Sequence, residues 1–118
     1  MAQSYENLNI WKDSVDFAKE IYKVTVNFPK TEVFGITSQV RRAVVSVSTN
    51  IAEGSGRNSK KDFSRFIDIS IGSLNETESL LHISNGLGYL KVEDFKRLND
   101  VIKRLGVSIG AFKKYLNK

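Results

Sequence analysis

Seven apolar residues near the end of the chain most restrict its fold: Phe95, Leu98, Ile102, Leu105, Ile109, Phe112 and Leu116 alternate spacings of three and four. This is a sustained heptad seam, and such a stripe is stable in water only when other helices cover it. Two earlier segments offer partners. Residues 8–28 set Trp11, Val15, Ala18, Tyr22, Thr25 and Phe28 at helical spacing, and the single proline, Pro29, stops that helix. Residues 60–85 turn Phe63, Phe66, Ile67, Ser70, Leu74, Thr77 and Leu81 inward. Ser59 reads as the N-cap with Asp62 in capping-box position, and Gly86 and Gly88 end the helix. Gly72 in its middle costs about 1 kcal/mol relative to alanine, and a close helix crossing is its expected reason.

The segment 32–53 sets propensity against pattern. Ala43-Val-Val-Ser-Val-Ser-Thr-Asn-Ile51 is rich in β-branched residues and partly alternates as a strand does. A helical wheel nonetheless sorts Ile36, Val40, Ala43, Val44, Val47 and Ile51 onto one apolar stripe. A strand here would have no partner elsewhere in the chain. The expected architecture is therefore all-α: an antiparallel up-down-up-down four-helix bundle with helices at about 8–28, 32–53, 60–85 and 92–117.

Composition fits this. A chain of 118 residues that is 41% apolar is the size of one domain with one core. The absence of cysteine removes disulfides, thiol catalysis and cysteine-bound zinc, and fits a reducing, cytoplasmic setting. The polar start, MAQSYENLNIW, does not resemble a signal peptide. The nearly uncharged run 43–52 is half the length of a membrane span, so no membrane partner is expected and the sequon at Asn75 carries no meaning.

No catalytic, cofactor or metal site is legible. His82 is the only histidine, and Glu78 one turn away does not complete a coordination shell. No serine lies in a nucleophile elbow. Gly54-Ser-Gly-Arg-Asn-Ser-Lys-Lys61 lacks the Gly-Lys-Ser/Thr ending of a phosphate loop. Backbone amides there, with Arg57, Lys60, Lys61 and Arg65 around them, can still hold a phosphate; the alternative is a solvated loop.

Two further patterns bear on function. Gln39, Arg42, Ser46, Asn50 and Glu53 form a polar stripe on a helix that is apolar on more than one side. Covered on both sides, they would form a structural network that fixes helix register, or else a recessed binding site. On the fourth helix Lys96, Lys103 and Lys113 form one basic row and Arg97, Arg104 and Lys114 another, within a net charge of +5. Such rows can track a phosphate backbone or simply be solvated; of aromatic residues only Tyr115 accompanies them. Gly106-x-x-x-Gly110 permits close packing within or between chains.

Several motifs together carry a resemblance. They are Trp11-Lys12, Phe28-Pro29, Glu32-x-Phe-Gly35, Gln39-Val-Arg-Arg-Ala43, Asn50-Ile-Ala-Glu-Gly54, Gly72-Ser-Leu74 and Leu87-Gly-Tyr89. Nearly the whole chain to residue 90 is similar to the bacterial four-helix-bundle family known from intervening sequences of 23S ribosomal RNA genes. The accessory protein of diversity-generating retroelements is a distant relative. The resemblance implies a bundle assembled into a ring-like homopentamer with a basic surface, and partners among RNA, DNA or another protein. The chain departs from the family at Ser48, where proline is frequent, and at Asn75-Glu-Thr-Glu78, one carboxylate short. The leading expectation is a non-enzymatic, oligomeric bundle that binds RNA electrostatically; the alternative is a protein-interaction scaffold.

Overall fold

The computed structural model describes residues 4–118. Four α-helices follow one another: α1 (Asn9–Thr25), α2 (Ile36–Ser55), α3 (Lys60–Gly86) and α4 (Val92–Leu116), with short 3-10 turns at Tyr5–Asn7 and Lys30–Glu32. Each helix packs on its neighbours in the order α1, α2, α3, α4 and back to α1. The α2–α3 contact is the broadest and the α1–α4 contact the slightest. Hydrogen bonds fix the direction of travel. Ser70 Oγ donates to the Val47 carbonyl at 2.7 Å and Ser73 Oγ to Ser46 Oγ at 2.8 Å, so residue numbers rise on one helix as they fall on the other. The bundle is antiparallel, 46 × 24 × 20 Å overall.

The heptad seam of α4 lies inward as its spacing requires, with Leu98, Ile102, Leu105, Ile109 and Leu116 buried. In α2 packing overrides β-propensity. Val40, Val44, Val47 and Ile51 are fully buried, and each gains about 1.5–3 kcal/mol from leaving water against a few tenths lost in helix propensity. The helix runs unbroken through Ser48, whose hydroxyl bonds back to the Val45 carbonyl at 3.2 Å.

Three expectations need correction. The core face of α1 is Ile10, Ser14, Phe17, Ile21 and Thr25; of the expected stripe Thr25 and Phe28 are buried, but Trp11, Val15 and Ala18 lie one residue off that face and Tyr22 is 43% exposed. Small hydroxyls make this possible, because Ser14 and Thr25 satisfy themselves on the carbonyls of Ile10 and Ile21 at 2.6 and 2.7 Å. The first α-helix stops at Thr25 and the second begins at Ile36 rather than 32. The backbone at Gly35, φ −107° and ψ −122°, is not helical, so Glu32 lies outside the helix and its carboxylate accepts the Ile36 amide at 3.4 Å.

The third correction concerns glycine. A Cβ at Gly72 would meet nothing within 4 Å, and one at Gly106 or Gly110 would touch at most Leu74 at 3.9 Å. The close crossing is at Gly54, where a Cβ would stand 2.7 Å from both the Phe63 ring and Phe66 Cβ. There the α2–α3 hairpin narrows before the turn at residues 56–59.

Candidate nucleic-acid interface

The basic side chains divide once their neighbours are known. On α4, Arg97 reaches Glu20 at 2.7 Å and Asp94 at 3.2 Å, Lys103 lies 3.8 Å from Glu78, and Lys113 pairs with Asp68. These three tie α4 to α1 and α3. Lys96, Arg104 and Lys114, exposed, make no ion pair among the described residues. Near the α2–α3 turn, Arg57 pairs with Glu53 and Arg65 with Asp62, each at 3.0 Å. Lys61 is exposed and unpaired, and Lys60 Nζ sits 5.5 Å from the centre of the Tyr115 ring. Exposed pairs of this kind hold by less than about 1 kcal/mol, so a phosphate can exchange for the carboxylate.

Ser59 caps α3 by accepting the Asp62 amide at 3.0 Å. Around that cap, where the α2–α3 turn meets the last turn of α4, lies a cavity of about 430 Å³. Arg57, Asn58, Ser59 and Lys60 form its polar wall, while Phe63, Phe112, Tyr115 and Leu116 form an apolar one, with Leu8 beside them. Phe63 and Phe112 meet edge to face at 5.3 Å, and Tyr115 follows Phe112 at 6.0 Å. Among the described residues no carboxylate lines this cavity. Arg57 also stacks on Phe66, 4.6 Å from its centre.

Sequence reasoning placed Phe63 and Phe112 in the core and missed their role as a cavity wall. The available signal was that Phe112, in the last full turn of the seam, is followed three residues on by another aromatic ring.

The polar stripe of α2 comes together only in part. Asn50 Nδ2 donates to the carbonyl and hydroxyl oxygens of Ser46 at 2.8 and 2.9 Å, and Ser73 on α3 joins them. Glu53 turns to Arg57 instead. Gln39 and Arg42 are exposed and join no side-chain hydrogen bond among the described residues. His82 is exposed and packs edge-on against Phe95 at 5.0 Å.

The opposite end of the bundle is built differently. Glu32 accepts the Tyr89 hydroxyl at 3.0 Å and the Ile36 amide at 3.4 Å, and Tyr89 rests on Phe28 with ring centres 5.8 Å apart. The hydrogen bond to Glu32, more than desolvation, pushes the Tyr89 phenol above its ordinary value. Gly88, at φ +77°, makes the turn that delivers Tyr89. A second cavity, about 450 Å³ between α1 and α4, is lined by Asp13, Asp16 and Glu20 with Arg104 as its one cation. Among the described residues no group of three histidine, aspartate or glutamate side chains converges as a metal site requires, and no helix is long and apolar enough to cross a membrane.

The family model described as 23S rRNA-intervening sequence protein matches residues 6–111. A solved structure of a protein of unknown function from the S23 ribosomal protein family of Bacteroides thetaiotaomicron superposes with a TM-score of 0.80 at 26% identity, covering 89% of this chain and 98% of that one. No curated protein matches the chain.

Proposed function

We propose that this chain, which belongs to the 23S rRNA-intervening sequence protein family, is a non-enzymatic protein that binds structured RNA through its basic surface. The observation that carries the reading is the division of charge. Among the described residues Lys60, Lys61, Lys96 and Lys114 have no carboxylate partner, and no acid lines the cationic cavity beside the first two. The unpaired cations of α4 extend from Lys96 to Lys114, about 27 Å at 1.5 Å per residue, which is enough to follow a phosphate backbone rather than hold one small anion.

The test is fluorescence anisotropy with a labelled RNA hairpin over a salt series. If about four phosphates are neutralised, affinity falls on the order of a hundredfold between roughly 50 and 200 mM salt. Reversal of Lys60, Lys61, Lys96 and Lys114 to glutamate abolishes binding, and DNA of the same sequence measures the preference for RNA. Binding indifferent to salt, or surviving that reversal, would overturn the reading.

A second reading concerns the partner rather than the chemistry. Phe34 is 95% exposed, with Val33 at 50% and Val26 at 72% nearby in the same connection. Apolar surface of this kind is covered in an assembly, whether by further copies of the chain in a ring-like homopentamer or by another protein that uses the bundle as a scaffold. Light scattering decides between copies and monomer. A stable partner recovered after nuclease treatment, lost in Phe34→Ser, supports the scaffold.

A further inference from the structure

Resting on the RNA-binding reading, we propose that the cavity between the α2–α3 turn and the last turn of α4 takes one unpaired nucleotide of the bound strand. Its base lies against Tyr115, and its phosphate meets Lys60 and Arg57.

The cavity has two unlike walls. Arg57 and Lys60 supply positive charge from one side, and Phe112 and Tyr115 supply aromatic surface from the other. An inorganic phosphate satisfies only the first wall and an apolar ligand only the second. A nucleotide carries a flat ring and an anion in one rigid piece and meets both. At about 430 Å³ the cavity falls within the range of small-ligand sites.

Tyr115 lies beside the inward seam rather than in it and is 57% exposed, so its ring has surface to offer, with Lys60 Nζ standing 5.5 Å from the ring centre where a phosphate would follow the base. A base inside a duplex has both faces occupied by its neighbours, so only an unpaired or terminal base can use that surface. The contrast with the α1–α4 cavity is informative. That cavity is of similar size but presents three carboxylates and one arginine, which repel a phosphate.

The experiment compares a blunt RNA hairpin with the same hairpin bearing a short single-stranded tail, using the full chain, Tyr115→Ser and Lys60→Met. Tyr115 and Lys60 are both exposed, so neither change disturbs the core. The tailed RNA binds about tenfold more tightly than the blunt one, and Tyr115→Ser removes that advantage while leaving blunt affinity unchanged. Adenosine monophosphate shifts the NMR signals of Tyr115 and Phe112 saturably. Adenosine and inorganic phosphate each do so more weakly, and Lys60→Met reduces the monophosphate to the level of adenosine. If blunt RNA binds with the expected salt dependence while the tail and Tyr115→Ser change nothing, this inference fails and the broader reading stands. Inorganic phosphate binding as well as the nucleotide likewise overturns it. If no RNA binds at any salt, both fail.

Discussion

The two ends of the bundle are made from the same materials, a helix connection and aromatic side chains, yet they treat their polar groups in opposite ways. At the end that holds the 26–35 connection, one carboxylate, Glu32, takes an amide from α2 and a phenol from beyond α3 and is satisfied by the fold itself. At the other end Lys60 and Lys61 find no acid, and an aromatic wall stands beside them facing an open cavity. Groups that the fold satisfies internally contribute stability. Groups that it leaves unmatched on the surface contribute little and are available for a ligand. The difference separates an end where the fold pairs its half-buried carboxylate from an end where it leaves cations unmatched.

The largest expected effect tests that separation directly. Reversing Lys60, Lys61 and Lys114 to glutamate weakens RNA binding by about a hundredfold or more at roughly 100 mM salt, whereas reversing Lys30 and Lys91 near the closed end costs roughly tenfold less. Anisotropy titrations of both variants decide it, and equal losses would erase the distinction between the ends.

Next come two alanine substitutions that probe how each end is packed. At Gly54 a methyl group would run into the Phe63 ring and the Phe66 Cβ, which cannot move without shifting α3, so Gly54→Ala destabilises by about 1–3 kcal/mol in urea unfolding. At Gly35 the obstructing atom is the Glu32 carboxylate, the far end of a flexible side chain. It swings aside at the cost of its hydrogen bonds, and Gly35→Ala loses about 1 kcal/mol. A reversed order would show that the closed end is the stiffer one.

Tyr89→Phe, which removes a single hydrogen bond, lowers stability by less than either glycine change and leaves RNA affinity unchanged. The smallest effect is its pH dependence. The phenol keeps its proton longer in the folded chain than in the unfolded one, where it titrates near pH 10. The folded state thus holds more protons above that pH, so the contribution is complete below it and fades as pH rises through the higher folded value. Unfolding titrations between about pH 9 and 11 are steeper for the parent chain than for Tyr89→Phe if the bond to Glu32 is the cause.

Much of the fold was legible where one letter carries one meaning. Leu98 to Leu116 can satisfy a heptad in only one way, and Val40 to Ile51 show their helical stripe despite β-branching. Legibility failed where a residue's role depends on a distant neighbour. Ser14 reads as lying off the inward stripe because nothing local shows that its hydroxyl bonds back to the preceding turn. Gly72 and Gly54 are equivalent as letters, and only the position of Phe63 distinguishes them. The basic rows were legible as rows, but their division was not. Arg97 is neutralised by Glu20 and Lys113 by Asp68, and both partners lie on other helices. The cavity was the least visible feature, because its two walls come from separate parts of the chain.

That construction has a consequence in time. The α2–α3 hairpin joins segments adjacent in sequence through the broadest contact and can form early, whereas the slight α1–α4 contact must close a loop spanning most of the chain. Leu8 and Leu116 border the cavity from the two sides of that late closure. The cavity is therefore complete only when the seam with the least contact has shut. A ligand seated there would act as a latch, slowing amide exchange along α1 and α4 while leaving the α2–α3 hairpin as it was.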